Sequence, residues 1–214
     1  MPSTYRRTCL NPVRAYACAV SNAAASERIG GRLCLDFVNA ADATGYDDAL
    51  AWFASVGASL PRSTSWLERA AARRAAEAVA AAATVNQVRE ALRGVLLAAI
   101  EGRAVNRRSL STVNDVLALA HAHHRLIVDA GGKVAESWSS TDDLIQLLFP
   151  VAIDAWDLLT EPELARVRQC PAPEGCGRLF LDTTRSGTRR WCSMATCGNR
   201  AKNRRYHARG RTRG

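Results

Sequence analysis

Four cysteines near the end of the chain constrain its fold more than any other feature. Cys170 and Cys176 form one close pair, Cys192 and Cys197 form a second, and 15 residues separate the pairs. Each pair can turn two thiolates inward from one short loop, which is the arrangement of a tetrahedral zinc site. Because four thiolates fill the coordination sphere, we expect one structural Zn²⁺ rather than an open catalytic metal.

Two disulfides are the alternative for this spacing, and they require an oxidising compartment. Arg6 and Arg7 lie near the N-terminus, but no apolar stretch long enough for a secretory signal follows them. No uninterrupted apolar run approaches the roughly 18 residues that a membrane-spanning helix needs. We therefore expect a cytoplasmic protein with reduced thiols and no membrane partner. We expect the remaining cysteines, Cys9, Cys18 and Cys34, to be buried or free rather than metal ligands.

Positive charge is concentrated at the same end of the chain. The net charge is +9, from 29 basic and 20 acidic residues. Residues 163–214 contain 13 Lys and Arg against three Asp and Glu, whereas residues 1–162 contain 16 against 17. A hydrophobic content of 48% is typical of a folded body. This asymmetry indicates a polyanion-binding module attached to a nearly neutral domain.

The body, residues 29–165, has mainly helical periodicity, with a change of period after His124. Helices are predicted over residues 47–56, 66–83, a segment through 92–99 that ends near Gly102, and 109–121. Two short strands are predicted around residues 130–132, where the glycines permit a hairpin turn. The short apolar run RLCLDFVNA fits either a strand or a buried helix, and we expect its carboxylate, Asp36, to be buried and paired rather than catalytic.

Two further segments complete the organisation of the chain. The apolar helical segment near residues 144–160 contains Pro150, which implies either a kink or two consecutive helices. Residues 1–28 have no clear period, and we expect a poorly ordered leader there. The predicted fold class is α+β: a predominantly helical N-terminal domain with a small β-hairpin, followed by a C-terminal treble-clef-like zinc finger at residues 166–210.

Within the cysteine module, each pair belongs to a different local structure. The first pair lies in a knuckle where Gly175 and Gly177 supply backbone freedom. RLFLD is predicted to form a strand, residues 185–187 a turn, and TRRW a returning strand. Ser193 is a candidate N-cap for a helix over about residues 195–209, whose first turn supplies the last ligands.

The stretch LFLDTTRSGTRRWCSMATCGNRAKNRR resembles the CGNR zinc finger over residues 166–209, and CGNR itself is residues 197–200. The body is similar to the ABATE domain through GRLCLDFVN near its start and RVRQC at its end. This resemblance implies a bacterial protein of a family proposed to regulate transcription under stress. One departure is that five residues separate Cys170 from Cys176 where four are expected, which should only enlarge the knuckle loop.

Polar residues of the finger are the candidate nucleic-acid contacts. Arg and Asn pair bidentately with guanine and adenine edges, and the other cations hold phosphates. The candidates are Arg185, Arg189, Arg190, Asn199, Arg200, Lys202, Asn203, Arg204, Arg205 and Arg209. DNA is the expected partner, and RNA is an alternative because an Arg-rich helix does not distinguish the two polymers. We expect Trp191 to pack beside the zinc site rather than stack on a base.

Other classes of function have less support in the sequence. His121, His123 and His124 form the only histidine cluster, and the chain contains no H-E-x-x-H, Gly-rich phosphate loop or G-x-S-x-G motif. A nuclease version of the finger would need a histidine before its helix, and none occurs between His124 and His207. We therefore expect no catalytic residues. A redox-responsive finger that releases zinc on oxidation is an alternative, and the body is expected to sense a small ligand or to form a homodimer.

Overall fold

The computed structural model describes the backbone of residues 28–172 and 175–211, and side chains as far as residue 207. Except for Arg28, the predicted leader lies outside the described residues. The body begins with helices α1 (Leu33–Asn39), α2 (Tyr46–Ser55), α3 (Thr64–Arg73), α4 (Ala75–Ile100) and α5 (Arg107–His123). The short apolar run that fitted a strand or a helix is therefore a helix, α1, and Asp36 within it is buried and accepts a hydrogen bond from the Gly30 amide.

Helix starts follow the capping residues of the sequence. Ser63 accepts a hydrogen bond from the Trp66 amide at the start of α3, and Asn106 accepts one from the Ser109 amide at the start of α5. These side chains satisfy amide groups that have no partner within the first turn of a helix. The predictions of helices over 47–56 and 109–121 are confirmed to within about two residues.

The predicted helix over residues 66–83 is wrong in its extent. The helix breaks at Arg74, whose φ of −128° and ψ of 55° are not helical, and α4 then runs unbroken for 26 residues. Alanine-rich sequence has a uniformly high helix propensity, so it does not mark where the chain turns. At the break, the Arg74 guanidinium pairs with Glu77 at 3.0 Å and lies 5.8 Å from the centre of the Trp66 ring.

The predicted hairpin is confirmed. Strands β1 (His124–Val128) and β2 (Val134–Trp138) pair in antiparallel register, with Val128 opposite Val134. Gly132 in the turn has a φ of +75°, a conformation that glycine adopts without steric cost.

Pro150 marks the second of two consecutive helices. A 3₁₀ helix (Leu144–Leu148) is followed by α6 (Phe149–Thr160), and Pro150 lies in the first turn of α6, where its missing amide hydrogen costs no helical hydrogen bond. Asp143 caps the 3₁₀ helix by accepting a hydrogen bond from the Ile145 amide at 3.0 Å.

Helix α4 forms the centre of the body and contacts α1, α2, α3, α5 and α6. A buried ion pair joins α1 to α6 across this core. Arg32 Nε donates to Asp154 at 2.8 Å, and the second oxygen of Asp154 accepts the Cys34 amide at 2.8 Å. Glu163 also pairs with Arg32. The Asp154 side chain is only 2% exposed, so its partners are needed to offset the cost of burying its charge.

A second 3₁₀ helix (Pro162–Arg166) leads into the cysteine module, which contains β3 (Val167–Gln169), β4 (Leu179–Leu181), a π-helix (Met194–Gly198) and α7 (Asn199–Arg211). The predicted pairing of RLFLD with TRRW is wrong. The partner of β4 is β3, with Val167 opposite Leu181, and residues 188–190 form no strand. Side-chain contacts, described below, hold that segment instead.

Strand β4 connects the body to the module. Successive side chains of a strand point to opposite faces, and Leu179 and Leu181 accordingly join the body core while Phe180 packs among the cysteines. All three side chains are buried. Because one strand contributes to both apolar clusters, the module is packed against the body rather than tethered to it.

Candidate metal centre and nucleic-acid interface

The four predicted cysteines converge on one point. Their Sγ atoms all lie within 4.8 Å of one another, and the Cys192 sulfur is 3.6 Å from those of both Cys176 and Cys197. A tetrahedron with metal–sulfur bonds of about 2.3 Å has sulfur–sulfur edges of about 3.8 Å. The cluster therefore has the size that one zinc ion requires.

Backbone conformation in the knuckle explains how the first pair reaches this point. Gly175 and Gly177 have φ angles of +72° and +60°, which residues other than glycine rarely adopt. The Cys170 amide donates to the Arg178 carbonyl at 2.8 Å, which closes the loop at its base. The turn thus places both thiols of the first pair on its inner side.

Electrostatics of the thiols favour a bound cation. Burial raises the pKa of Cys192, and hydrogen bonds with the neighbouring thiols raise it further. At Cys176, partial burial raises the pKa, but hydrogen bonds from the Arg178 amide and the other thiols lower it by more. The net result is a lowered pKa. Several thiolates this close together repel one another unless a divalent cation neutralises them. The donor set and geometry are consistent with one structural zinc ion.

Asp182 organises the chain between the two cysteine pairs. It is 1% exposed, and its carboxylate accepts from the Thr184 amide and hydroxyl at 2.9 and 2.5 Å and from the Arg189 amide at 2.9 Å. The hydroxyl of Thr184 is the main reason that the pKa of Asp182 is lowered. Sequence reasoning missed this residue, although an Asp followed by T-T-R-S-G is a recognisable turn signal.

Arg189 is a structural residue in this geometry rather than an exposed cation. Its guanidinium lies 4.6 Å from the centre of the Phe180 ring and donates to the carbonyls of Ile29, Leu181, Trp191 and Cys192. It therefore joins β4, the second cysteine pair and the start of the body. With its donors used in this way, Arg189 is less available to nucleic acid than the sequence indicated.

The helix start also follows the prediction. Ser193 accepts a hydrogen bond from the Thr196 amide at 3.3 Å. Asn199 donates from its side chain to the Ala195 carbonyl at 3.1 Å, so it stabilises the π-helical turn that carries Cys197. The side-chain amide of Asn199 keeps one N–H and its oxygen for other partners, so its contact with adenine stays a prediction. Asn203 on α7 is exposed.

Only the π-helix and the first turn of α7 contain residues that are buried against the rest of the module. Cys197, Gly198 and Ala201 are buried, and every described side chain from Lys202 to His207 is exposed. The helix therefore extends into solvent after Ala201. The exposed cations of the module include six of the predicted contacts, namely Arg185, Arg190, Arg200, Lys202, Arg204 and Arg205, and also Arg166, Arg168 and Arg178. The side chain of Arg209 lies outside the described residues, so its contact stays a prediction.

Trp191 packs at the metal centre, as expected. It is partly buried against the apolar cluster of the module, and Arg190 lies 5.7 Å from the centre of its ring. The histidine cluster does not form a common site. His121, His123 and His124 each contact a different aromatic ring, and the cysteine cluster is the one candidate metal-binding group within residues 28–172 and 175–211.

Direct hydrogen bonds join the module to the body at α1. The side-chain amide of Asn39 donates to the Leu179 carbonyl at 2.7 Å and accepts the Leu179 amide at 2.8 Å. The Leu181 amide donates to the Gly30 carbonyl at 2.7 Å. Arg93 of α4 donates to the Gly177 carbonyl at 2.7 Å, directly beside the knuckle. Helices α1 and α4 of the body thus both contact the module beside the metal centre.

The fold and the thiol cluster together define a class of protein: a mostly helical domain with a small β-hairpin, joined to a C-terminal four-cysteine zinc finger. Comparison with protein families agrees with this class. Residues 31–162 match the ABATE family, described as "Putative stress-induced transcription regulator", and residues 166–210 match the CGNR zinc finger.

Since the ABATE match covers more than half of the chain, the protein belongs to the ABATE family. The resemblance stated from GRLCLDFVN and the CGNR motif is thereby confirmed. Neither family is described as an enzyme family. No curated protein matches the chain. In the part of the chain that the structure describes, none of the helices has the length and apolar character needed to cross a membrane.

Proposed function

We propose that this protein is a zinc-dependent DNA-binding transcription regulator and not an enzyme. The observation that carries the proposal is the basic helix α7, which is fixed to the metal centre at Cys197 and extends beyond Ala201 with exposed Arg, Lys and Asn side chains. An α-helix fits the major groove of DNA, where Arg and Asn can form hydrogen bonds with base edges. The other exposed cations neutralise phosphates.

The proposed contacts are the following exposed polar residues of the finger: Arg185, Arg190, Asn199, Arg200, Lys202, Asn203, Arg204 and Arg205, together with Arg209. Arg189 is left out of this set because carbonyl groups of the finger already use its donors. If six cations neutralise phosphates, the logarithm of the association constant should fall with the logarithm of salt concentration with a slope of about −5.

A double substitution with a matched control tests this interface. Arg204→Gln/Arg205→Gln removes an adjacent exposed pair on α7, and Arg107→Gln/Arg108→Gln removes an adjacent exposed pair at the start of α5 in the body. Fluorescence anisotropy with duplex DNA should show weaker binding and a salt slope smaller by about 2 for the first variant only. Equal effects of the two variants would refute the interface, and tighter binding to RNA of the same sequence would favour the RNA alternative.

The body is proposed to sense a small ligand or to form a homodimer. A cleft of about 340 Å³ in the body, with Arg178 of the finger at its edge, supports the sensing role. Buried Arg89 and Asp36, the ring of Trp52 and Arg178 of the knuckle all line it. A ligand in this cleft would contact both parts of the molecule. Thermal shift measurements on the full chain test this role, with the Arg178→Ala variant as the control. A metabolite that binds in the cleft should raise the melting temperature of the wild-type chain and not that of the variant, which lacks the finger's contribution to the cleft.

The protein is proposed to act in the cytoplasm. Four thiols that hold zinc must remain reduced, and cytoplasmic glutathione and thioredoxin maintain that state. Zinc release measured against peroxide dose tests the redox-responsive alternative, which requires loss of metal at low dose.

A further inference from the structure

An apolar groove lies along the side of the basic helix. It has a volume of about 410 Å³, within the range of small-ligand sites, and is lined by Trp191, Met194, Gly198, Ala201, Lys202, Arg205 and Tyr206. Gly198 and Ala201 are buried and form its floor, whereas the longer side chains form its walls.

Gly198 allows two side chains of the groove to lie close to the helix backbone. A β-carbon at this position would lie 2.5 Å from the Met194 sulfur and 3.2 Å from a carbon of the Trp191 ring. Both side chains therefore lie directly against the helix backbone. Trp191 in turn packs against the buried cluster that contains Cys192 and Cys197.

Two walls of the groove are large side chains left in solvent. Met194 is 64% exposed and Tyr206 is 77% exposed. Tyr206 lies on α7, whose other described residues after Ala201 are charged or polar. Within the described residues, the ring contact of Tyr206 is an edge contact with His207 at 5.7 Å. A face of the phenol ring is therefore free to stack on a planar group.

Cations surround this apolar surface. Lys202 and Arg205 line the groove, and Arg190 lies over the Trp191 ring at its closed end. An aromatic and apolar slot edged by cations matches a nucleotide, which presents a planar apolar base joined to an anionic phosphate. The same combination of stacking surface and basic groove is what binds single strands in other proteins.

We propose that the groove binds one unstacked nucleobase against Tyr206, with the adjoining phosphates on Lys202 and Arg205. This inference rests on the proposed function and narrows its target. The finger then prefers DNA in which a base is already free, as in a single strand or a bulge, because extruding a base from an intact duplex costs several kcal/mol.

The test uses the zinc-loaded full chain at about 150 mM salt. The probes are oligothymidine of about 12 nucleotides and a duplex with and without one bulged 2-aminopurine. The variants are Tyr206→Ala and Tyr206→Phe, with Trp156→Ala as the control, since Trp156 is a half-exposed aromatic residue of the body. Anisotropy reports affinity, and 2-aminopurine fluorescence reports whether the base stacks on protein.

Wild-type protein should bind the bulged duplex more tightly than the intact one and change the 2-aminopurine signal. Tyr206→Ala should weaken binding to oligothymidine and to the bulge by about tenfold and leave the intact duplex within about twofold, and Tyr206→Phe should restore the wild-type affinity. Trp156→Ala should bind as wild type does.

Three results would overturn the inference. Equal losses on intact and bulged DNA would show that Tyr206 has no base-specific role while the DNA-binding function stands. Unchanged DNA affinity with a loss of self-association in sedimentation would make the groove a contact between copies of this chain. Absence of wild-type binding to every DNA and RNA probe would refute both the groove and the proposed function.

Discussion

Arg189→Ala gives the sharpest separation between a structural residue and a nucleic-acid contact. The Arg189 guanidinium donates to carbonyls of Ile29, Leu181, Trp191 and Cys192 and lies over Phe180. Removal of this side chain leaves those carbonyls to find water or remain unpaired. The finger should therefore lose stability even though its cysteine ligands are intact.

The expected magnitude follows from the contacts. A hydrogen bond from a charged donor contributes about 1.5–3 kcal/mol. Because Arg189 is only partly buried, water replaces part of the loss, and we count only the bonds to Trp191 at 3.1 Å and Leu181 at 3.2 Å at the lower value. The sum is about 3 kcal/mol. Since zinc binding and finger folding are coupled, the apparent zinc affinity should fall by about 100-fold.

Competition with a chromophoric chelator measures that affinity, and urea unfolding followed by the fluorescence of the five tryptophans measures stability. Arg185→Ala is the control, since Arg185 is exposed in the turn and is proposed to contact phosphate. It should weaken DNA binding and leave zinc affinity unchanged. The reasoning would be refuted if Arg189→Ala lowered DNA affinity with no change in zinc affinity or unfolding.

Three further predictions concern the metal and the body. Removal of zinc should expose four reactive thiols in a thiol titration and unfold the finger, while circular dichroism retains most of the helical signal of the body; loss of the whole signal would contradict this. Asp154→Ala leaves the partly buried Arg32 with Glu163 alone and should cost about 3 kcal/mol in urea unfolding, whereas a cost under about 1 kcal/mol would place the pair among surface ion pairs. Tyr46 is buried, donates to the Leu144 carbonyl at 2.8 Å, and has a pKa raised by burial. Its contribution to stability is therefore complete below the unfolded pKa of about 10 and is lost as pH rises above it. Tyr46→Phe should flatten that alkaline loss, and an unchanged pH profile would show that the phenol is not its source.

The metal centre could be predicted from the sequence because its signal is local. Cys170, Cys176, Cys192 and Cys197 have a spacing that few other structures produce, and the structure brings all four thiols together. The hairpin at Gly132 was predictable for the same reason, since glycine permits the positive φ of the turn. Pro150 left a kink or two consecutive helices open, and the structure has two helices.

The parts that were missed depend on contacts between distant residues. The break at Arg74 lies in uniform alanine-rich sequence without glycine or proline, so no residue there marks it. The partner of β4 is the strand before the knuckle, because Leu179 and Leu181 must reach the body core while Phe180 faces the cysteines. Periodicity describes one segment at a time and does not select its partner.

Arg189 shows why charge alone does not identify a binding residue. Its neighbour Arg190 is exposed, and both are basic residues in the same short segment. Only the structure shows that Asp182 holds the Arg189 backbone and that the Arg189 side chain turns toward carbonyls. Composition predicted a basic surface for the finger, but the assignment of each cation to phosphate or to the fold requires the contacts.

The central claim is that zinc holds a basic helix in a form that recognises DNA. The most direct test is the recovery of fragmented genomic DNA by the purified zinc-loaded chain, in competition with total RNA, at about 150 mM salt and again after chelation. We expect the zinc-loaded chain to recover a few discrete DNA fragments, and we expect this recovery to be lost when zinc is removed. Diffuse recovery, preference for RNA, or recovery that survives chelation would contradict it.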